Sequence, residues 1–149
     1  FSRIMSLKDG TKKMSKSELS DLSRINLTDN EDLIVNKIKK AKTDPLPLPS
    51  DPKELETRSE AKNLLGIYSS LNNLTLDQSI KEFSGKNFSE FKEKLSQVLV
   101  EKIIPISNEI KKLNADREYL DKILLDGQKK ANEYASNKLK KIHEIVGFL

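Results

Sequence analysis

The sequence contains no cysteine, a single histidine and only five glycines among its 149 residues. Without cysteine the chain can form neither disulfides nor thiolate metal sites, which suits a reducing compartment. The glycines lie far apart, so the sequence holds no glycine-rich phosphate cradle and no dinucleotide-binding motif. Charged residues interrupt every apolar run well before membrane-spanning length, and the start is too charged for a signal peptide.

The ionisable residues form no catalytic or metal-binding pattern. No nucleophile and base occur at a catalytic spacing, and no acidic cluster has the form of a metal site. His143 lies near the end of a predicted helix, where a cation would complement the helix dipole, so we expect a structural or surface role. Lys37, Lys39, Lys40 and Lys42 form a basic run that either touches nucleic-acid phosphates or is a solvated helix face.

The net charge is concentrated at the beginning of the chain. Residues 1–16 contain one acidic side chain, Asp9, and five basic ones, Arg3, Lys8, Lys12, Lys13 and Lys16. The remaining residues contain 22 basic and 22 acidic side chains, so the whole formal charge of +4 belongs to the first 16 residues. An anionic ligand is therefore expected there.

The basic segment contains Lys13-Met14-Ser15-Lys16-Ser17. Lysine ammoniums act as point charges on phosphate oxygens, and hydroxyls and loop N–H groups supply further donors. The segment therefore predicts a mobile loop that binds a polyphosphate. The alternative from these five residues alone is a solvated basic turn.

The motif and its flanks resemble the signature loop of class I aminoacyl-tRNA synthetases, and the tryptophanyl-tRNA synthetase family in particular. The flanking matches are Ile4-Met5-Ser6-Leu7, Thr11-Lys12, Leu27-Thr28-Asp29, Lys37-Ile38-Lys39-Lys40-Ala41-Lys42-Thr43-Asp44, Asn63-Leu64-Leu65-Gly66-Ile67-Tyr68-Ser69, Phe88-Ser89-Glu90-Phe91-Lys92 and Gly147-Phe148-Leu149. Two segments depart from the family pattern, Glu18-Leu19-Ser20-Asp21 and the proline-rich residues 45–52.

The resemblance implies ATP-dependent activation of tryptophan to tryptophanyl-adenylate and transfer to tRNA(Trp). It implies that Lys16 is the stronger pyrophosphate contact and that Lys13 assists it. The implied ATP-binding residues are Ile4, Met5, Lys13, Met14, Ser15, Lys16 and Ser17. Of these, Ile4 and Met5 would lie against the adenine through backbone contacts. Mg²⁺ would be carried by ATP, with no tightly bound metal.

The histidine-rich second motif of that family and its tryptophan pocket are absent from this sequence. The chain also begins without methionine, so we expect the C-terminal portion of a longer enzyme, inactive alone. The resemblance implies a homodimeric full-length protein, cytoplasmic or organellar, with no membrane association. Its tRNA contacts would lie in a helical domain, although the balanced charge beyond residue 16 singles out no residue for them.

The periodicity predicts an all-α bundle of about five helices, preceded by one strand and the lysine-containing loop. Capping boxes at Thr28–Glu31 and Thr75–Gln78 open two of the helices, and Pro105 should kink or split another. The last helix should be capped by Asp116, run from Arg117 to about Val146 and end at Gly147. It should bury a stripe running from Leu120 to Val146. The resemblance implies that residues 1–27 end a nucleotide-binding, Rossmann-like catalytic domain and that residues 28–149 form the C-terminal helical domain. The prolines predict an extended linker over residues 44–52.

Two other hypotheses remain open from the sequence. A free-standing basic helical module could bind RNA or protein without catalysis. The related tyrosyl enzyme fits less well, because its family usually adds a small mixed α/β domain and no further strands are predicted here.

Overall fold

The computed structural model describes residues 3–147 and confirms the predicted all-α fold with five helices. Phe148 and Leu149, which belong to the last matched segment, lie outside the described residues. The helices are α1 (Glu31–Lys39), α2 (Ser59–Leu71), α3 (Leu76–Phe83), α4 (Phe88–Ala115) and α5 (Arg117–Val146). Two short 3₁₀ helices, Asp21–Ser23 and Pro52–Glu56, lie between the loop and α2.

The strand predicted before the helices is not formed. Between residues 3 and 147 the only β pairing is an isolated antiparallel bridge that joins Met5 to Lys13. A strand needs a neighbouring ladder to satisfy its N–H and C=O groups, and the described chain supplies no further strand. The backbone of residues 4–7 instead bonds to the loop, to nearby turns and to a side chain of α2.

The two predicted capping boxes have different outcomes. Thr75 and Gln78 exchange side-chain and backbone hydrogen bonds at the start of α3, as predicted. The box at Thr28 and Glu31 is wrong, because α1 begins two residues later than that box requires. Asn30 is its N-cap, and the Asn30 side chain accepts a hydrogen bond from a backbone N–H at 2.9 Å.

The core is built around α2, which is buried along most of its length. An aromatic cluster joins three helices: the ring of Phe83 lies 4.9 Å from that of Tyr68 and 4.8 Å from that of Phe91, both edge to face. Such pairs add roughly 0.5–1.5 kcal/mol each to the burial of their area. The aliphatic core residues include Leu7, Ile34, Ile38, Leu48, Leu55, Leu64, Leu65, Ile80, Leu95 and Leu99.

The proline-rich connection before α2, predicted as an extended linker over residues 44–52, is non-helical from residue 44 to 51, whereas Pro52 begins the second 3₁₀ helix. It is also held against the core. Leu48 is buried and bonds through its backbone to Lys86 and Gly85. Arg58, at the start of α2, forms a bidentate ion pair with Asp44, with N–O distances of 2.7 and 3.0 Å.

Pro105 lies inside α4 without dividing it, since the helix is continuous from Phe88 to Ala115. Of the two predicted outcomes, a kink or a split, the split does not occur. Pro105 lacks the N–H that would pair with the Glu101 carbonyl, and both residues are exposed. The chain divides into two compact units, Phe1–Asn108 and Glu109–Leu149, and the site lies in the first.

Helix α5 begins and ends where the sequence predicts. The Asp116 carboxylate caps its start, and Gly147 ends it at a φ of +77°. The predicted burial of its stripe is wrong, because no residue of α5 is buried and Leu124, Leu139 and Val146 are each more than half exposed. None of the helices that the structure describes is long and apolar enough to cross a membrane.

Candidate phosphate-binding site

The lysine-containing loop is the second arm of a short hairpin. The Ser6 N–H donates to the Lys12 carbonyl at 2.8 Å, and the Met14 N–H donates to the Ile4 carbonyl at 3.1 Å. These bonds flank the bridge between Met5 and Lys13. The first arm, residues 4–7, therefore fixes the backbone from which the loop leaves.

Asp9 lies in the turn of the hairpin. Its carboxylate accepts hydrogen bonds from the Thr11 N–H at 3.0 Å and the Thr11 hydroxyl at 2.6 Å. These bonds, together with the nearby Lys12 ammonium, lower the pKa of Asp9. The Lys12 ammonium lies 3.5 Å from the Asp9 carboxylate. Lys12 is thus directed toward the turn and away from the loop.

Lys13 and Lys16 are both exposed, and neither forms an ion pair within residues 3–147. Ser15 lies between the two lysines and Ser17 follows them. Their hydroxyls are 2.9 Å apart, and the Ser17 N–H donates to the Ser15 hydroxyl at 3.3 Å. The loop therefore presents two ammoniums without carboxylate partners on a locally bonded backbone.

Both lysines line a single groove of about 900 Å³. Its lining residues are Arg3, Ile4, Lys13, Met14, Ser15, Lys16, Arg24, Ile25, Asn26, Leu27 and Thr28. Four of them are basic and none is acidic, so the groove suits an anionic ligand. The structure thus brings five of the seven predicted ATP-binding residues to one groove, whereas Met5 and Ser17 do not line it.

Met5 instead faces α2. Its N–H donates to Asn63 Oδ1 and its carbonyl accepts from Asn63 Nδ2, both at 2.9 Å. Both backbone polar groups of Met5 are therefore occupied by protein.

The wall opposite the loop, residues 24–28, was not predicted from the sequence. Arg24 holds it in place: its guanidinium donates to Asn26 Oδ1 at 3.1 Å and to the Glu18 carbonyl at 2.9 Å, and it lies 3.1 Å from the Asp21 carboxylate. The one available signal was a basic residue close after the lysine-containing loop. Nothing in the local sequence shows that the chain turns back to face that loop.

Beneath this wall, Lys37 of α1 is buried with its ammonium between two carboxylates. It lies 2.6 Å from Asp29 Oδ2 and 2.7 Å from Asp21 Oδ2. Asn26 joins the same network through its backbone N–H to Asp29 at 2.9 Å and its amide to Asp21 at 3.0 Å. The hydrogen bond from Lys37, followed by that from Asn26, lowers the pKa of Asp21.

The basic run at the end of α1, from Lys37 to Lys42, is therefore not a continuous surface for phosphates. Lys37 is 1% exposed, and Lys42 pairs with Glu60 at 2.9 Å, while Lys39 and Lys40 remain exposed. The hydrogen bond from Lys42 lowers the pKa of Glu60 and, reciprocally, raises the pKa of Lys42. Two of the four lysines, Lys37 and Lys42, are thus paired with carboxylates of the protein itself.

Residues 3–147 contain no group of three or more histidine and acidic side chains placed to hold a metal ion.

Comparison with known families gives a match over residues 1–104 to the family described as tRNA synthetases class I (W and Y). Among curated proteins, the chain is 51% identical over 147 residues to the tryptophan–tRNA ligase of Mesorhizobium japonicum and 50% identical to that of Brucella melitensis. Each alignment covers 99% of this chain and 41% of the relative. The chain therefore spans about two fifths of the length of these relatives.

A solved structure, the tryptophanyl-tRNA synthetase of Mycoplasma pneumoniae, superposes with a TM-score of 0.73 at 28% sequence identity. The superposition covers 97% of this chain and 43% of that protein. The helical fold and its order along the chain are thus shared with a larger protein.

Proposed function

We infer, because the chain belongs to the class I tRNA synthetases for tryptophan and tyrosine, that it is the C-terminal portion of a tryptophan–tRNA ligase. Relatives about 50% identical over almost the whole chain, all named tryptophan–tRNA ligases, support tryptophan over tyrosine. Because the chain spans only 41% of such relatives, the activity is proposed for the complete polypeptide, and this chain alone is expected to be inactive.

The groove that holds Lys13 and Lys16 is the observation that carries this proposal. In the proposed reaction the tryptophan carboxylate attacks the α-phosphorus of ATP, the bond to the bridging oxygen breaks, and pyrophosphate leaves. Negative charge accumulates on the leaving group in the transition state. Ammoniums that engage it most strongly at that point lower the barrier.

We assign Lys16 as the main pyrophosphate contact and Lys13 as its assistant, because both line the groove and neither is neutralised by a carboxylate within residues 3–147. Ser15 lines the groove as a donor, and Ser17 supports it from outside the groove. Met14 also lines the groove, but its N–H is already occupied by the Ile4 carbonyl. Ile4, which lines the groove, is proposed to contact the adenine. Since Asn63 occupies the backbone of Met5, the role of Met5 is to hold the loop rather than to bind the base.

The other parts of the proposal concern the complete protein. ATP brings Mg²⁺, which keeps most of its coordination on phosphates and water. tRNA(Trp) is the acceptor. Residues 1–27 end the catalytic domain, residues 28–149 form the helical domain that approaches the tRNA, and residues 44–52 connect to its second helix. We further propose a homodimer located in the cytoplasm or an organelle.

The test is tryptophan-dependent exchange of pyrophosphate into ATP by the complete enzyme and its Lys16→Ala variant. We expect the exchange rate to fall by about 10²–10³-fold, the loss typical of removing one preorganised charge-stabilising group. Lys12→Ala is the matched control, because this lysine of the same hairpin pairs with Asp9 and does not line the groove. It should retain nearly the wild-type rate.

Wild-type exchange by the Lys16→Ala variant would contradict the assignment of that lysine. An equal loss in both variants would show that the whole basic hairpin, and not the groove, attracts ATP. Exchange that depends on tyrosine and not on tryptophan would contradict the proposed substrate.

A further inference from the structure

The geometry points to Asn63 of α2 as a positioning residue for the phosphate-binding loop, through its paired hydrogen bonds to the backbone of Met5. This inference rests on the proposed function, since it assigns to Asn63 the placement of Lys13 and Lys16 for adenylate formation. Asn63 does not line the groove, and its side-chain amide bonds to Met5 and not to Lys13 or Lys16.

Asn63 makes the hydrogen bonds to Met5 that a neighbouring strand, absent from the described chain, would otherwise make. Its side-chain amide accepts from the Met5 N–H and donates to the Met5 carbonyl, both at 2.9 Å, across 58 residues of sequence. A neighbouring residue in an antiparallel ladder would make the same pair of bonds with its own N–H and C=O. Asn63 is 1% exposed, so the low local dielectric strengthens both bonds, and a substitution that removes one leaves a buried group unsatisfied.

The anchoring is transmitted to the lysines through the hairpin. Met5 is bridged to Lys13, and the Met14 N–H bonds to the carbonyl of Ile4 next to it. Side chains alternate between the two faces along such an arm, so a one-residue slip would turn Lys13 away from the groove. Holding Met5 in register therefore holds the Lys13 ammonium on the groove side.

A second contact on the same face of α2 supports this arrangement. Gly10, in the turn of the hairpin, packs so closely on the first turn of α2 that an added Cβ would lie 2.6 Å from the Ser59 carbonyl carbon. Ser59 and Asn63 are four residues apart and thus share one helix face. The hairpin therefore contacts α2 at two points, its turn at Ser59 and its first arm at Asn63.

A positioning residue and a purely structural residue predict different kinetics. Lys13 and Lys16 act mainly in the transition state, so a displaced loop lowers the rate constant of adenylate formation at each active site. Tryptophan affinity and the fraction of active molecules should stay the same, because neither depends on this hairpin. A purely structural role would instead lower the active fraction and leave the rate constant per site unchanged.

The experiment is rapid-quench measurement of tryptophanyl-adenylate formation by the complete enzyme, wild type and Asn63→Asp. The substituted carboxylate is nearly isosteric, can still accept from the Met5 N–H, and loses the donor to the Met5 carbonyl. We expect the burst rate constant to fall by about 10–100-fold, the cost of a misplacement on the order of 1 Å. The burst amplitude and the tryptophan dissociation constant should be unchanged.

Ser69→Ala is the matched control, since Ser69 is another buried polar residue of α2. Its hydroxyl donates to the Leu65 carbonyl at 2.7 Å and pairs with the Ser79 hydroxyl at 2.8 Å, away from the hairpin. This variant should lose stability but keep the wild-type burst rate constant. An unchanged rate constant in Asn63→Asp, or an equal decrease in Ser69→Ala, would overturn the inference.

A second measurement needs no variant. Hydrogen exchange of the wild-type enzyme, followed on the peptide that contains Met5, should show a protected Met5 amide. Exchange as fast as that of an exposed loop amide would overturn the inference even if the enzyme is active. If the wild-type enzyme showed no tryptophan-dependent exchange of pyrophosphate into ATP, the proposed function itself would be overturned, together with the role assigned to Asn63.

Discussion

The buried ammonium of Lys37 should be the most destabilising charge to remove from this chain. Lys37 is 1% exposed and lies 2.6 Å from the Asp29 carboxylate, whose side chain is only 5% exposed. Lys37→Met keeps a chain of similar length and leaves Asp29 charged and buried. Breaking a buried pair in this way costs about 3–5 kcal/mol. We expect about 3 kcal/mol, because Asn26 still donates two hydrogen bonds to Asp29, at 2.9 and 3.2 Å.

The measurement is urea unfolding followed by circular dichroism, in which the midpoint should fall while the slope stays constant. In the double variant Lys37→Met with Asp29→Asn, the amide removes the stranded charge, so more than half of the lost stability should return. Lys39→Met, an exposed lysine on the same helix, is the control and should change stability by at most ~0.5 kcal/mol.

Two results would refute this reasoning. A loss below about 1 kcal/mol for Lys37→Met would mean that the pair is as weak as an exposed one. A double variant no more stable than the single variant would mean that the stranded carboxylate is not the cause of the loss.

Three further predictions concern packing and pH. Gly10→Ala should lose about 1–3 kcal/mol in thermal unfolding, because the added Cβ would lie 2.6 Å from the backbone of α2, whereas Gly127→Ala, with open space around it in α5, should gain up to ~1 kcal/mol; equal effects would contradict the close contact. The pKa of Glu60 lies below its ordinary 4.5 because of the hydrogen bond from Lys42, so its carboxylate stabilises the fold above that pH and this contribution is lost as the pH falls through the lowered pKa. The stability difference between wild type and Glu60→Gln should therefore shrink in acid, and a constant difference would count against the pair. Burial, with a hydrogen bond to a carboxylate, raises the pKa of Tyr68 to about 12, so its phenol stabilises the fold fully below its ordinary value of 10.0 and loses this contribution as the pH rises through about 12; an ultraviolet titration should show a late tyrosinate signal that Tyr68→Phe abolishes.

The helices that sequence reasoning placed well are those whose ends carry local signals. The capping box at Thr75 and Gln78 starts α3, and Asp116 and Gly147 bound α5, as predicted. The error at Thr28 arose because several residues before α1 can cap a helix. Asn30 is preferred because its side chain reaches the N–H of the α1 backbone three residues later.

Amphipathic periodicity predicted the type of α5 correctly and its burial incorrectly. A stripe such as Leu124 to Leu139 shows which face of a helix is apolar, but it contains no information about whether a surface covers that face. The same limit applies to Lys37, which periodicity alone could not separate from the exposed Lys39 and Lys40. Burial became visible only once Asp21 and Asp29 were placed around its ammonium.

The amino-acid sequence by itself determined the helical class, the order of the helices and the basic loop that contains Lys13 and Lys16. These features depend on local propensity, on caps and on charge along the chain, all of which can be read within a few residues. Only the tertiary structure decided what faces the loop and what holds it. Arg24 lines the groove opposite the loop, and Asn63 bonds to Met5 from 58 residues away. Neither contact can be predicted from a periodic or local pattern in the sequence. The physical reason is that such contacts form when the chain folds back on itself, so they depend on packing rather than on neighbours in sequence.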